Sequence, residues 1–531
     1  MYSVIIRDGQ IADGFGTPLY QADIAIEEGR IVAIAKNICE SAKTVIDAAE
    51  LVVAPGFIDI HTHTDCTISH NPLSDSKVLQ GVTTEVVGNC GIGSFPVVPE
   101  RANQLAQYLA MHEQELTGDD LTWSDFTQYA QHLALQGIGV NLAPLVAHGT
   151  LRIAVVGFED RQPTVQENKK MCQLLQIALD QGAWGLSTGL IYPPGSFAHT
   201  PELISLAKVV AAKSALFTSH IRGESTTLME AIDEMIEIGE QSGARIQVSH
   251  LKAIGQTNWG KGKEALDKII AARAKGIDIA ADQYPYVASS TSLTALVPQW
   301  AHSGGVEALM ERLAASQLHD CLVSEIGLEM KIRGGPERVM VASVVSTDNA
   351  RFVGNTVQDI AQAWGCDAED AVMRLLLQER GGVGAVYFSL SDDDVDAIMA
   401  SDIVAVGSDG RGLNSNRDAK NATHPRSYGT FARVLGHYVR ERQLLPLETA
   451  IYKMTALPAS RLQLRDRGRI QVGLAADITL FNPNTVTDVA DFKQAHRYAQ
   501  GIENVLVSGQ FVVREGRLTG NTPGKVLYKD R

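Results

Sequence analysis

The sequence predicts an α/β protein built on a (β/α)8 TIM-like barrel. A small β-sandwich domain made from both termini and a long insertion before the last barrel strand complete the expectation. Three observations predict it. Eight apolar, β-type runs alternate with amphipathic helical patterns through the middle of the chain, as parallel strands joined by helices require. Both ends consist of short strand runs broken by turn residues. The stretch between the seventh and eighth runs is far longer than an ordinary crossover.

The ends come first. Asp23–Ile26, Glu27–Arg30 and Ile31–Ile34 read as a hairpin with glycine in its turn. Gly468–Ile470, Ala476–Leu480 and Val505–Val513 have the same texture. Short strands need partners, so residues 1–55 and 468–531 are expected to form one small β domain around a barrel domain spanning 56–467. The eight central runs end near His61/His63, Cys90, His148, Thr188, His220, His250, Tyr284 and Asp409. Helical periodicity fills 164–181, 200–213, 227–242 and 262–275. Residues 287–402 read as an insertion over the barrel mouth, with helical patterns at 305–316, 356–365 and 368–380.

Composition narrows the function. The 531 residues are 45% hydrophobic and 20% charged, and 46 Lys plus Arg against 61 Asp plus Glu leave a formal charge of −15. Such a chain repels phosphate backbones and anionic lipid, which argues against nucleic-acid or membrane partners. No apolar run reaches the roughly 20 residues of a membrane helix. The N-terminus reads as a strand, not a signal peptide. Six cysteines without C-x-x-C spacing fit reduced thiols and a cytoplasmic location.

Chemistry concentrates at the ends of the apolar runs. Gly56–His63 (GFIDIHTH) closes on His61 and His63, and residues two apart on a strand share a face. Ala215–His220 and Arg245–His250 each close on Ser-His, thirty residues apart. That spacing is about one strand–helix–strand unit, and it sets His220 and His250 side by side at one rim. Asp409 ends Ile403–Gly410 and suits a metal ligand, a proton shuttle or both. Cys90 in Gly88–Gly91 is a strong zinc donor as a thiolate, although most lone cysteines are buried hydrophobes.

Together GFIDIHTHTD, GVTTEVVGNCG, STGLIYPPG, SHIRGE, VSHLKAIG, DQYPY and GSDG resemble the N-acyl-D-amino-acid deacylases (D-aminoacylases) of the amidohydrolase superfamily, nearly end to end. The resemblance implies one tightly bound Zn2+ on Cys90, His220 and His250. It also implies a second, weaker site outlined by His61, His63 and the bridging Cys90, with Asp409 as general acid/base and D selectivity. Binuclear relatives of hydantoinase or dihydroorotase type bridge their metals with a carbamylated lysine on the fourth strand. Gly185–Leu190 has no lysine, and Lys169, Lys170, Lys208 and Lys213 fall in helical stretches. That counts against the runner-up, a cyclic-amide hydrolase; a non-catalytic metal or ligand-binding barrel is a third reading, and it has no use for Asp409.

The expected reaction is hydrolysis of a small N-acyl amino acid, with water activated by zinc, and with zinc or His63 steadying the oxyanion. The substrate's α-carboxylate needs a clamp. By resemblance Lys252, Tyr192, Tyr284 and Ser289 line that pocket, and Arg426 is the best arginine for a two-bond grip. Ser290–Val297 contains no base, which favours neutral or apolar side chains on the substrate.

Overall fold

The computed structural model describes residues 1–111, 118–416 and 421–529. Its centre is parallel. Strands Phe57–Asp59, Val82–Val87 and Asn141–Pro144 form one three-stranded sheet. Val146–Ala147, Gly185–Gly189, Leu216–His220, Arg245–Val248, Ile279–Gln283 and Val404–Val406 form a six-stranded sheet in that order. Asn141–Ala147 is one run interrupted at Leu145, so it serves both sheets. At the other seam, a parallel bridge pairs Thr62 with Gly410, and Asp409 N–H donates to the His61 carbonyl at 2.7 Å.

Each run read from sequence is a strand, but most stop short. The first ends at Asp59, the second at Val87 and the last at Val406. His61, His63, Cys90, His250 and Asp409 therefore sit two to four residues past their strands, and of these site residues only His220 is a strand's last residue. Strand alternation is thus not what makes His61 and His63 converge; the turn after Asp59 does.

The expected helices lie at Val165–Gln181, Thr200–Ala212, Leu228–Ser242 and Lys261–Ala274. Thr164 caps the first through a reciprocal box with Glu167. Lys169, Lys170 and Lys208 are helical and Lys213 caps a helix end, so none approaches the fourth strand's rim. The helices' apolar faces close over the sheets in one large core.

The insertion has its own core, with helices Val306–Ala314, Val357–Trp364 and Ala368–Gln378 where the periodicity placed them. It also contains His319–Ile332, a helix missed in the sequence because its charged residues blur the apolar stripe. An antiparallel three-stranded sheet, Ser289–Ser292, Val383–Tyr387 and Val339–Val344, connects these helices to the centre.

Both termini contribute to a single nine-stranded sheet. Val52–Pro55 pairs with Ile478–Phe481, joining the N-terminal strands to the C-terminal ones. Ile6, Ile24, Ile26, Val53, Ile478 and Leu480 share one buried cluster. No described helix is long and apolar enough to cross a membrane.

Candidate metal centre

Local backbone geometry concentrates at the rim. Cys90, His250 and Asp409 all have positive φ, at 55°, 37° and 50°. Non-glycine residues pay for this conformation, and such residues cluster where a site over-determines them. The Cys90 turn also packs against the fourth strand. A Cβ on Gly189 would lie 1.9 Å from the Cys90 carbonyl oxygen, and one on Gly91 would lie 2.7 Å from the Gly189 nitrogen. The glycines in N-C-G and S-T-G therefore meet each other.

The side chains then converge. Ligand atoms of Cys90, His220 and His250 lie within 4.8 Å of one another, and so do those of His61, His63, Cys90 and Asp409. Cys90 belongs to both sets. Its Sγ is 3.2 Å from His61 Nε2 and 3.6 Å from His250 Nε2. Asp409 Oδ1 lies 3.0 Å from His63 Nε2 and 3.4 Å from His61 Nε2. Its Oδ2 is 2.7 Å from Arg426 Nη1.

Two carboxylates that sequence reading missed orient these rings. Asp282 Oδ1 is 3.0 Å from His61 Nδ1 and accepts from His250 N–H at 2.7 Å. Glu224 Oε1 is 3.2 Å from His250 Nδ1, and Oε2 is 3.5 Å from His220 Nε2. The signals were present: Glu224 is four residues after His220 in SHIRGE, and Asp282 opens DQYPY at a strand end. Below the site, Asp59 accepts from His61 N–H, Ser408 N–H and the buried Lys77 ammonium at 2.8 Å, tying the first and last strands together.

The electrostatics favour a cation. Burial would push the Cys90 thiol up, but His61, with His220 and His250 beside it, holds it well below the thiol range. Burial would likewise raise Asp409 and Glu224. Arg426 and His250 hold Asp409 far below the carboxylate range, and Lys252 and His220 do the same for Glu224. Burial opposes charge on His220, yet Glu224 and Cys90 raise it to about 9. A buried thiolate and two buried carboxylates thus draw positive charge onto the imidazoles. Neither ring nitrogen of His220 has a hydrogen-bond partner among the described residues. A soft thiolate, imidazoles and this anionic surround suit zinc, whose charge would replace the imidazole protons.

The remaining sequence candidates line the same pocket: Lys252, Tyr192, Tyr284, Ser289 and Arg426. Lys252 is not free, since Glu224 holds it at 2.5 Å and His250 Nδ1 lies 2.8 Å away. The Arg426 guanidinium stacks 4.9 Å from the Tyr284 ring centre and donates to the Ser290 carbonyl at 3.1 Å. Tyr192 hydroxyl meets Thr291 Oγ1 at 2.9 Å. The expectation of a pocket without a further base rested on 290–297 alone; Arg333, from the insertion, also lines the wall.

A model of the amidohydrolase family matches residues 44–513. The chain belongs to the amidohydrolase family. It is 37% identical to an N-acyl-D-glutamate deacylase of Alcaligenes xylosoxydans xylosoxydans, over 99% of this chain and 96% of that one. It is 34% identical to a D-aminoacylase of the same organism, over 99% and 98%. A crystal structure of N-acyl-D-glutamate deacylase from Bordetella bronchiseptica superposes with a TM-score of 0.83, at 36% identity over 99% of both chains. That relative is complexed with zinc and a phosphonate inhibitor that mimics the reaction's tetrahedral intermediate.

Proposed function

We propose that this chain hydrolyses the amide bond of N-acyl-D-amino acids, releasing a carboxylate and a free D-amino acid. The observation that carries the reading is the sharing of the Cys90 thiol by two overlapping donor sets, one of which includes Asp409. Cys90, His220 and His250 would hold the tight zinc, and His61, His63 and Cys90 a weaker one. Zinc held there would supply Lewis-acid activation of water, bringing its pKa down to near 7.

The protein's own groups do the rest. Asp409 accepts the proton of the attacking water and passes it to the departing nitrogen. Held strongly acidic by Arg426, it is a weak base but gives up an acquired proton readily to an amine. With the weaker site empty, His63, 3.0 Å from Asp409, would donate to the developing oxyanion. Arg426 grips the α-carboxylate, with Lys252, Tyr284, Tyr192 and Ser289 around it.

The fold supports this reading in its finer form. The seams at Leu145 and at Thr62/Gly410 fit closure of the parallel sheets into a (β/α)8 barrel over residues 56–467. The terminal sheet, 1–55 with 468–531, fits a small domain folded face to face as a sandwich. Residues 287–402 act as the lid. A panel of N-acetyl-D-, N-acetyl-L- and cyclic amides, with zinc measured on the same preparation, tests the function. Turnover of linear D substrates with at least one zinc per chain is expected; zinc-replete protein that cleaves only L or cyclic amides overturns it.

A further inference from the structure

Arg333 has no part in the chemistry above, yet it faces the substrate pocket. It follows helix His319–Ile332 of the insertion, and its side chain is 12% exposed. The guanidinium lies 4.7 Å from the ring centre of Tyr387, a fully buried side chain whose hydroxyl donates to the Ser292 carbonyl at 3.0 Å. Its Nε is buried and without a hydrogen-bond partner among the described residues. The nearest described carboxylate, Glu329, stands 3.9 Å away and is itself 40% exposed.

Two other cations of the pocket already face carboxylates: Lys252 lies against Glu224, and Arg426 Nη1 against Asp409. A buried guanidinium left with unfilled donors costs free energy that a ligand anion recovers. Position suggests which anion. Arg426 bonds the Ser290 carbonyl, and Tyr387, which carries Arg333, bonds that of Ser292. Arg426 and the ring that Arg333 faces thus meet one strand two residues apart, and two guanidinium groups line one pocket, which suits the two carboxylates of an acidic amino acid.

We propose that Arg333 recognises a side-chain carboxylate, making the preferred substrates N-acyl derivatives of acidic D-amino acids. The proposal rests on the deacylase reading above and names its substrate class. Overall similarity does not decide this, because the glutamate-named relative and the D-aminoacylase stand at 37% and 34% identity.

N-acetyl-D-glutamate and its neutral isostere N-acetyl-D-glutamine provide the test, with N-succinyl-D-leucine placing the charge on the acyl end instead. Zinc-loaded wild type is expected to favour the glutamate by about 10- to 100-fold in kcat/KM, the worth of a charge-assisted hydrogen bond. Arg333→Met should remove that preference by lowering glutamate turnover, leave glutamine turnover within about threefold and keep its zinc. Arg333→Lys should retain part of the preference. Equal wild-type turnover of glutamate and glutamine, equal loss on both in Arg333→Met, or loss confined to the succinyl substrate would each overturn the proposal. Absence of turnover on every N-acyl-D-amino acid would instead overturn the deacylase reading beneath it.

Discussion

Asp409 touches two imidazoles and a guanidinium, so its role can be separated from its contacts. Asp409→Asn keeps the shape and most hydrogen bonding but removes proton transfer. Zinc at Cys90, His220 and His250 should be retained while kcat falls about 10²- to 10⁴-fold; zinc analysis beside initial rates checks both halves. Glu224 acts through others. It faces His250 Nδ1 while Nε2 turns toward Cys90, the arrangement by which a carboxylate fixes a metal-binding histidine. Glu224→Gln should weaken zinc by about 10- to 100-fold in chelator competition, and unchanged zinc affinity would show that the contact positions nothing.

At the scale of elements, the site depends on how the strands end. The turn carrying Cys90 and the end of strand Gly185–Gly189 approach so closely that neither admits a side chain at Gly91 or Gly189. Gly189→Ala drives a methyl group into the Cys90 carbonyl, which is relieved by shifting the turn that carries the thiol. Overpacking of this kind costs about 1–3 kcal/mol. Thermal melts should show a lowered Tm together with weakened zinc binding; a lowered Tm with intact zinc affinity would mean that the turn adapts elsewhere. The run ends were legible because a β-type apolar run is a local property. Their last two or three residues were not, because strand termination depends on where the neighbouring strand stops offering partners.

On the scale of the whole molecule, residues 287–402 hold an apolar cluster of their own and supply a wall of the pocket. His302 lies buried in it, and burial lowers its pKa to about 4 from 6.5. The unfolded chain therefore binds a proton below pH 6.5 that the folded chain refuses until about pH 4. Stability contributed by neutral His302 is full above pH 6.5 and drains as pH falls through that window, by on the order of 3 kcal/mol. Denaturant titrations at pH 7, 5.5 and 4 should show a shallower acid loss in His302→Gln than in the wild type, and parallel losses would refute the assignment. The two termini illustrate the same scale: their strands are visible in isolation, but only the pairing of Val52–Pro55 with Ile478–Phe481 joins them into one sheet.

What the sequence determined by itself was whatever short-range patterns encode. These are the alternation of strands and helices, the strand-rich ends, and the residue types at run ends that named His61, His63, Cys90, His220, His250 and Asp409. Only the tertiary structure decided which groups face one another: that Asp282 and Glu224 hold the histidines, that Glu224 already occupies Lys252, and that Arg333 reaches the pocket from 44 residues beyond Ser289. The physical reason is that a pattern along the chain reports a residue's own backbone and its exposure to solvent. Ion pairing, desolvation and pocket membership depend on distances between segments, which exist only once the chain has closed on itself.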